Sequence, residues 1–158
     1  MLPLQGITVV EIAQNLAGPI AAEILASMGA DVVKIERPEG DDARRWGPPF
    51  WKGVSPGFLA VNANKRSVTL DLKKADDVEW LMEYIGRADV LIQNLRPGSL
   101  EELGLGADVL TAKDGAEALE LVAHRADQHR RTDRGTRSDD DRPDRLLDDI
   151  ESVSLVHD

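Results

Sequence analysis

The sequence predicts an α/β fold, an incomplete Rossmann-like parallel sheet with flanking helices, followed by a polar, disordered tail. Three observations predict it. Short β-branched runs alternate with amphipathic stretches, beginning with a strand–helix–strand in about thirty residues, the spacing of a parallel βαβ unit. A long Pro- and Gly-punctuated segment separates that unit from a second strand–helix–strand. The chain then changes character: no aromatic residue follows Tyr84, no Lys follows Lys113, and all three His come after Ala123.

The elements follow in order. Gly6-Ile7-Thr8-Val9-Val10-Glu11-Ile12 is a short apolar, β-branched run of the kind buried in a parallel sheet. A loop of small residues leads to Pro19, which suits the first turn of a helix because its missing N–H has no partner there. Ile20, Ile24 and Met28 fall along one helical face with Leu25 beside them, and Gly29 ends the helix as a residue that accepts positive φ. Asp31-Val32-Val33-Lys34-Ile35 is the next strand. The irregular stretch from Glu36 to Ser55 is long enough to suggest a functional loop, or one packed on something outside itself. A short helix is expected over Phe58 to Asn62 and a third strand over Ser67 to Leu72. Ala75 to Gly86 reads as a helix, with Val78, Leu81, Met82 and Ile85 on one face and Asp76, Asp77 and Glu79 near its start. Ala88 to Gln93 is a fourth strand; Arg96-Pro97-Gly98 turns the chain, and Ser99 with Glu102 forms the pattern of a capping box.

Composition narrows the function. The 158 residues carry 19 Lys+Arg against 29 Asp+Glu, a net charge of −10, which argues against a dedicated nucleic-acid binder. With no Cys, neither a disulfide framework nor a Cys-based zinc site is possible, and no metal is expected. The first residues lack the basic and apolar regions of a signal peptide, and no apolar run reaches membrane-spanning length, so the expectation is a cytoplasmic protein with no membrane partner. Arg125 to Arg145 alternates Arg and Asp with almost nothing apolar, and reads as disordered or weakly helical. Only Leu146, Leu147, Ile150, Val153, Leu155 and Val156 offer the tail anything to dock with.

In open α/β sheets ligands bind beyond the carboxyl ends of the strands. Four features belong to that edge. Ala17-Gly18-Pro19 opens a helix, whose free amides can face an anion, or forms an ordinary tight turn. It is not a G-x-G-x-x-G fingerprint, which weakens a dinucleotide enzyme. Lys34-Ile35-Glu36-Arg37-Pro38 offers a carboxylate for a ribose and an Arg for a phosphate or adenine, or a surface ion pair. Asn64-Lys65-Arg66-Ser67 and Leu70-Asp71-Leu72-Lys73 place basic groups at both ends of a strand, as a phosphorylated ligand or mere solvation would favour. Gln93-Asn94-Leu95-Arg96 supplies an amide and a guanidinium, or a structural turn.

In this order, with Ser27-Met28-Gly29-Ala30-Asp31 and Leu103-Gly104-Leu105, these segments closely resemble the start of class III CoA-transferases, a family that includes formyl-CoA and carnitine CoA-transferases and alpha-methylacyl-CoA racemase. The resemblance covers about Leu4 to Lys113. It implies a site for coenzyme A or acyl-CoA, bound as substrate, and a carboxylic acid as second substrate. Arg37 would contact the adenine end. Leu70, Asp71, Leu72 and Lys73 would lie along the nucleotide with Lys73 near its phosphates. Asn94, Leu95 and Arg96 would line the same groove, and Leu16 and Ala17 would lie near the thioester. Leu16 stands where some transferases carry a Gln, and Glu102 where an Arg is common, which puts oxalate- or formate-type specificity and that end of the site in doubt.

The family's transferases attack the thioester with an Asp from a region beyond this match, so no catalytic residue is assigned. His124 and His129 do not replace the racemase pair either. The expectation is therefore a truncated transferase fragment in three parts: 1–113 CoA-binding, 114–124 a helix of uncertain origin, and 125–158 an Arg/Asp-rich tail. The family's homodimer is not expected to form properly. The alternative is a non-enzymatic binding or signalling module, because Val109 to Val122 resembles part of a response-regulator receiver domain.

Overall fold

A computed structural model describes residues 2–96 and 98–103 and, as a strand, 153–155. The elements are β1 (Thr8–Ile12), α1 (Ala17–Ser27), β2 (Asp31–Glu36), a short 3-10 helix (Asp42–Arg45), α2 (Pro56–Val61), β3 (Lys65–Thr69), α3 (Ala75–Arg87), β4 (Val90–Gln93), α4 (Ser99–Glu102) and β5 (Val153–Leu155). The sheet order is β4-β1-β2-β3-β5. Val9 stands opposite Val32 on one side and Val90 on the other, and Lys34 stands opposite Ser67, all in parallel register. Ile12, Glu36, Thr69 and Gln93 thus end their strands on one edge of the sheet.

β5 pairs antiparallel with β3, Val153 opposite Val68 and Leu155 opposite Arg66. The polar tail contributes these three residues to the sheet. Val153 and Leu155, two of its few apolar side chains, flank Ser154 in a strand that satisfies the open edge of β3. The receiver-like segment Val109 to Val122 and the Arg/Asp tract lie outside the described residues.

The two faces of the sheet differ. Toward α3, Val10, Ile12, Val33, Ile35, Val68 and Leu70 form an apolar layer with Leu81 and Tyr84. Toward α1, Ile7, Val9 and Val32 pack on Ala22, Leu25 and Ala26, but the upper part of that face carries Glu11, Lys34 and Lys65, all fully buried.

Both long helices bury a face rotated from the one periodicity suggests. In α1 the buried residues are Gly18, Pro19, Ala22, Leu25 and Ala26, while Ile20 and Ile24 remain 38% and 41% exposed. The small residues at 18, 22 and 26 let the helix approach the sheet closely. A Cβ on Gly18 would lie 2.4 Å from that of Ala13. In α3, Met82 is exposed and Tyr84 is fully buried, stacked on Trp80 with ring centroids 5.0 Å apart. The aromatic pair takes the sheet-facing position expected for Met82.

Three smaller differences concern boundaries. β3 begins at Lys65 and ends at Thr69, so Leu70 to Lys73 form the loop beyond the strand; the Leu70 amide still bonds the Glu36 carbonyl at 2.9 Å. The short helix is Pro56–Val61, with Pro56 first and Ser55 accepting from the Gly57 and Phe58 amides. The capping box does not form: Gly98, at φ 88°, is the N-cap, and Ser99 is already helical with no side-chain cap bond.

Candidate functional site

The carboxyl edge of the sheet holds two polar assemblies on opposite faces. The first is closed. Glu11 Oε1 accepts from Lys34 Nζ at 2.9 Å and its Oε2 from Lys65 Nζ at 2.7 Å. Lys34 also donates to the Ala13 carbonyl at 2.7 Å, and its Nζ lies 3.0 Å from Asp41 Oδ2, an ion pair off the line of a hydrogen bond. Lys65 donates to the Pro19 carbonyl and to Asn62 Oδ1, at 2.8 and 3.0 Å. Burial lowers the Lys65 ammonium pKa, against the opposing pull of Glu11. Lys65, which the sequence offered as a basic group for a phosphorylated ligand, is therefore consumed inside the fold together with Lys34.

Glu36 belongs to the same side. Its Oε1 accepts from Arg44 Nη2 and Ser67 Oγ, both at 2.6 Å. Its Oε2 accepts from Arg44 Nε at 2.7 Å and the Asp41 amide at 3.0 Å. Burial alone would raise the carboxyl pKa. The bonds from Arg44, Ser67 and the Asp41 amide outweigh that and bring it down to about 2. The Arg44 guanidinium also sits 4.0 Å from the centre of the Phe58 ring. With its acceptor sites filled, Glu36 is a structural carboxylate rather than a ribose ligand.

The second assembly is open. A cavity of about 690 Å³ lies beyond the ends of β1, β2 and β3. Ile12, Ile35, Leu70, Leu72 and Leu95 supply its apolar lining; Arg37, Arg45 and Lys73 are its cations, Glu39 and Asp71 its carboxylates. Asp42, outside the lining, pairs with both Arg37 and Arg45, at 2.6 and 2.9 Å, which leaves Lys73 as the cation of the lining not paired with a carboxylate among the described residues. Arg37 Nε donates to the Gly40 carbonyl at 3.0 Å and its Nη2 to Asp42 Oδ1 at 2.6 Å. Bonds from Arg45 and Arg37 hold the Asp42 carboxyl below its ordinary pKa. Asp71 Oδ1 accepts from the Lys73 amide at 3.1 Å, and the Asp71 amide donates to Asp77 Oδ2 at 2.7 Å, so the loop into α3 is bonded at both ends.

The cavity brings together Arg37, Leu70, Asp71, Leu72, Lys73 and Leu95 of the residues read from the sequence. It does not include Leu16, Ala17, Asn94 or Arg96 in its lining. Leu16 and Ala17 are exposed at the start of α1, and Arg96 is exposed beyond β4. Asn94 turns to the backbone: Oδ1 accepts from the Gln14 amide at 2.9 Å and Nδ2 donates to the Gln14 carbonyl at 2.7 Å. Sequence reasoning did not assign Gln14 or Arg45, which line the cavity. Their available signal was position alone, Gln14 just past the first strand and Arg45 in the long loop after the second.

Among the described residues no group of three or more His, Asp or Glu is placed to hold a metal ion, and no helix is long and apolar enough to cross a membrane.

Comparison with known proteins gives a consistent result. Residues 4–115 match the family described as CoA-transferase family III. Succinyl-CoA:glutarate CoA-transferase of Mus musculus is 44% identical over 107 residues, 67% of this chain and 24% of the relative. Succinyl-CoA--L-malate CoA-transferase beta subunit of Chloroflexus aurantiacus is 47% identical over 111 residues, 70% of this chain and 27% of the relative. The crystal structure of a CAIB/BAIF family protein from Brucella suis superposes with a TM-score of 0.64 at 38% identity, covering 78% of this chain and 31% of that one. The chain spans about a quarter of the length of these curated relatives.

Proposed function

The chain belongs to CoA-transferase family III, and from that premise we propose that its open cavity holds the nucleotide end of coenzyme A or an acyl-CoA. The observation that carries the reading is the meeting of Arg37, Leu70 to Lys73 and Leu95 at one cavity on the carboxyl edge of the sheet. The aliphatic side chains suit an adenine face. Arg37, Arg45 and Lys73 suit phosphates, with Arg able to offer a paired donor fork and Lys a point charge. Arg96, Leu16, Ala17 and the Asn94 backbone belong to the rest of the ligand path in this reading.

The reaction served is the movement of CoA between carboxylic acids, in a cytoplasmic setting. The names of both curated relatives specify succinyl-CoA, so it is the first donor to test, with a dicarboxylic acid as acceptor. Residues 1–113 act as the CoA-binding part. The reacting carboxylate is assigned to no residue of this chain, and an assembly with further family sequence completes the reaction. The family homodimer is not formed properly by this chain alone.

Titration of the full chain with CoA and with adenosine 3′,5′-bisphosphate tests the reading. Saturable heat is expected with both, weakened about tenfold or more by Arg37→Ala, in keeping with loss of one charge-assisted bond. Absence of saturable binding at millimolar CoA overturns it.

A further inference from the structure

The turn from β1 to α1 is fastened far more heavily than a four-residue connection needs. Lys34 Nζ holds the Ala13 carbonyl at 2.7 Å. Asn94 holds both backbone groups of Gln14, the amide at 2.9 Å and the carbonyl at 2.7 Å. Asp41 Oδ1 accepts the Asn15 amide at 3.1 Å as well as the Ala43 amide at 2.9 Å. Asn15 has φ 68°, a left-handed conformation that Asn adopts more readily than other non-glycine residues. The fasteners come from separate elements: Lys34 from β2, Asp41 from the loop after it, Asn94 from the end of β4. The second residue of the turn, Gln14, lines the cavity.

We infer that Asn94 and the buried Lys34–Asp41 pair form a clamp whose task is to hold Gln14 in register with the cavity. Asn94 is then a positioning residue, acting on ligand through Gln14 and not through its own amide. The geometry favours this over direct contact, because Asn94 Oδ1 and Nδ2 each already face a Gln14 backbone group at hydrogen-bonding distance, and Asn94 is not part of the lining. The clamp also ties the end of β4 to the β1 turn across 80 positions of sequence, so β4 helps set the shape of a site built by β1, β2 and β3.

The inference rests on the nucleotide reading of the cavity, and the experiment separates the two. The full chain is compared with Asn94→Ala and Asn94→Asp by site-resolved amide hydrogen exchange and by CoA titration. Asn94→Ala is expected to speed exchange at Gln14 about tenfold or more while Val9 to Ile12 stay unchanged, and to weaken CoA about tenfold. Asn94→Asp keeps the acceptor for the Gln14 amide and loses the donor to its carbonyl. Its Gln14 amide is expected to stay protected while CoA still weakens. Unchanged exchange at Gln14 in Asn94→Ala overturns the clamp. In Asn94→Ala, weaker CoA binding with unchanged exchange assigns Asn94 to direct contact and overturns it equally. If the unsubstituted chain binds no CoA, the nucleotide reading fails, and the exchange result alone decides whether the clamp exists.

Discussion

Glu36 is where a change of one atom tests the architecture most directly. Glu36→Gln keeps the side-chain shape and replaces one oxygen by an NH₂ group. Both carboxylate oxygens are surrounded by donors: Arg44 Nη2 and Ser67 Oγ at one, Arg44 Nε and the Asp41 amide at the other. Whichever way the new amide turns, its NH₂ meets a donor of Arg44. Arg44 also loses its counter-ion while only a third exposed. Two estimates of the cost agree. Lowering the carboxyl pKa from 4.5 to about 2 corresponds to on the order of 3 kcal/mol of preferential stabilisation of the ionised form. Breaking a buried ion pair by removing one partner costs about 3–5 kcal/mol, reduced here by the partial exposure of Arg44. Glu36→Gln is therefore expected to cost about 2–4 kcal/mol at pH 7 in urea unfolding. Because the folded pKa lies below the unfolded one, the unsubstituted chain holds this stabilisation above pH 4.5 and loses it as pH falls toward 2. The variant lacks that part of the acid dependence. A midpoint shift worth less than about 0.5 kcal/mol, or an unchanged acid profile, refutes the reasoning.

Other substitutions probe separate links. Gly18→Ala puts a methyl group 2.4 Å from the Ala13 Cβ; a loss of about 1–3 kcal/mol in chemical denaturation is expected, with the β1 turn displaced. Tyr84→Ala removes a fully buried ring and its stacking on Trp80, for an expected loss of about 3–5 kcal/mol, whereas Met82→Ala, at 36% exposure, should stay within about 1 kcal/mol by the same measurement. Lys73→Ala leaves the fold intact, since Asp71 bonds the Lys73 backbone amide, and should weaken CoA binding more at low than at high salt in calorimetric titrations.

The strands were legible because a parallel sheet buried on both faces needs continuous β-branched runs, and Thr8 to Ile12 and Asp31 to Glu36 have them. Half the cavity was legible for a different reason. Leu70 to Lys73 and Arg37 stand immediately after strands, and the carboxyl edge is where this architecture leaves a crevice. Helix faces were less legible. In α1 the apolar period picks out Ile20 and Ile24, but close approach to the sheet selects Gly18, Ala22 and Ala26, and small residues carry little hydrophobic signal. Lys65 misled for a sharper reason, and the role of Lys34 went unseen for the same one. A lysine near a strand end looks solvated until its partner is known, and Glu11 lies 23 residues from one and 54 from the other. Alternation does place all three on one face, but it cannot say that the upper part of that face is closed by a loop and not by water.

That closed group makes its own pH prediction. Glu11 is shared by two lysines, of which Lys34 has a second counter-ion in Asp41. Glu11→Gln leaves Lys65 with only neutral partners, the Pro19 carbonyl and Asn62 Oδ1. Burial already lowers its pKa, and of the charges that opposed this only the weaker one, Glu23, remains, so the variant lowers it further. A buried ammonium with no bonded counter-ion can escape by losing its proton, which the folded variant then does more readily than the unfolded chain. The unfolded state binds more protons across that interval, so stability rises with pH until Lys65 is also neutral in the unfolded chain. Lys65→Met leaves Glu11 with Lys34 alone and has no such escape. Both variants should lose on the order of 3–5 kcal/mol at pH 7, but only Glu11→Gln should regain part of it between pH 7 and 9.5. Parallel recovery in the two, or none in Glu11→Gln, means that Lys65 keeps its proton without Glu11, and that the neutral oxygens around it suffice to hold a buried charge.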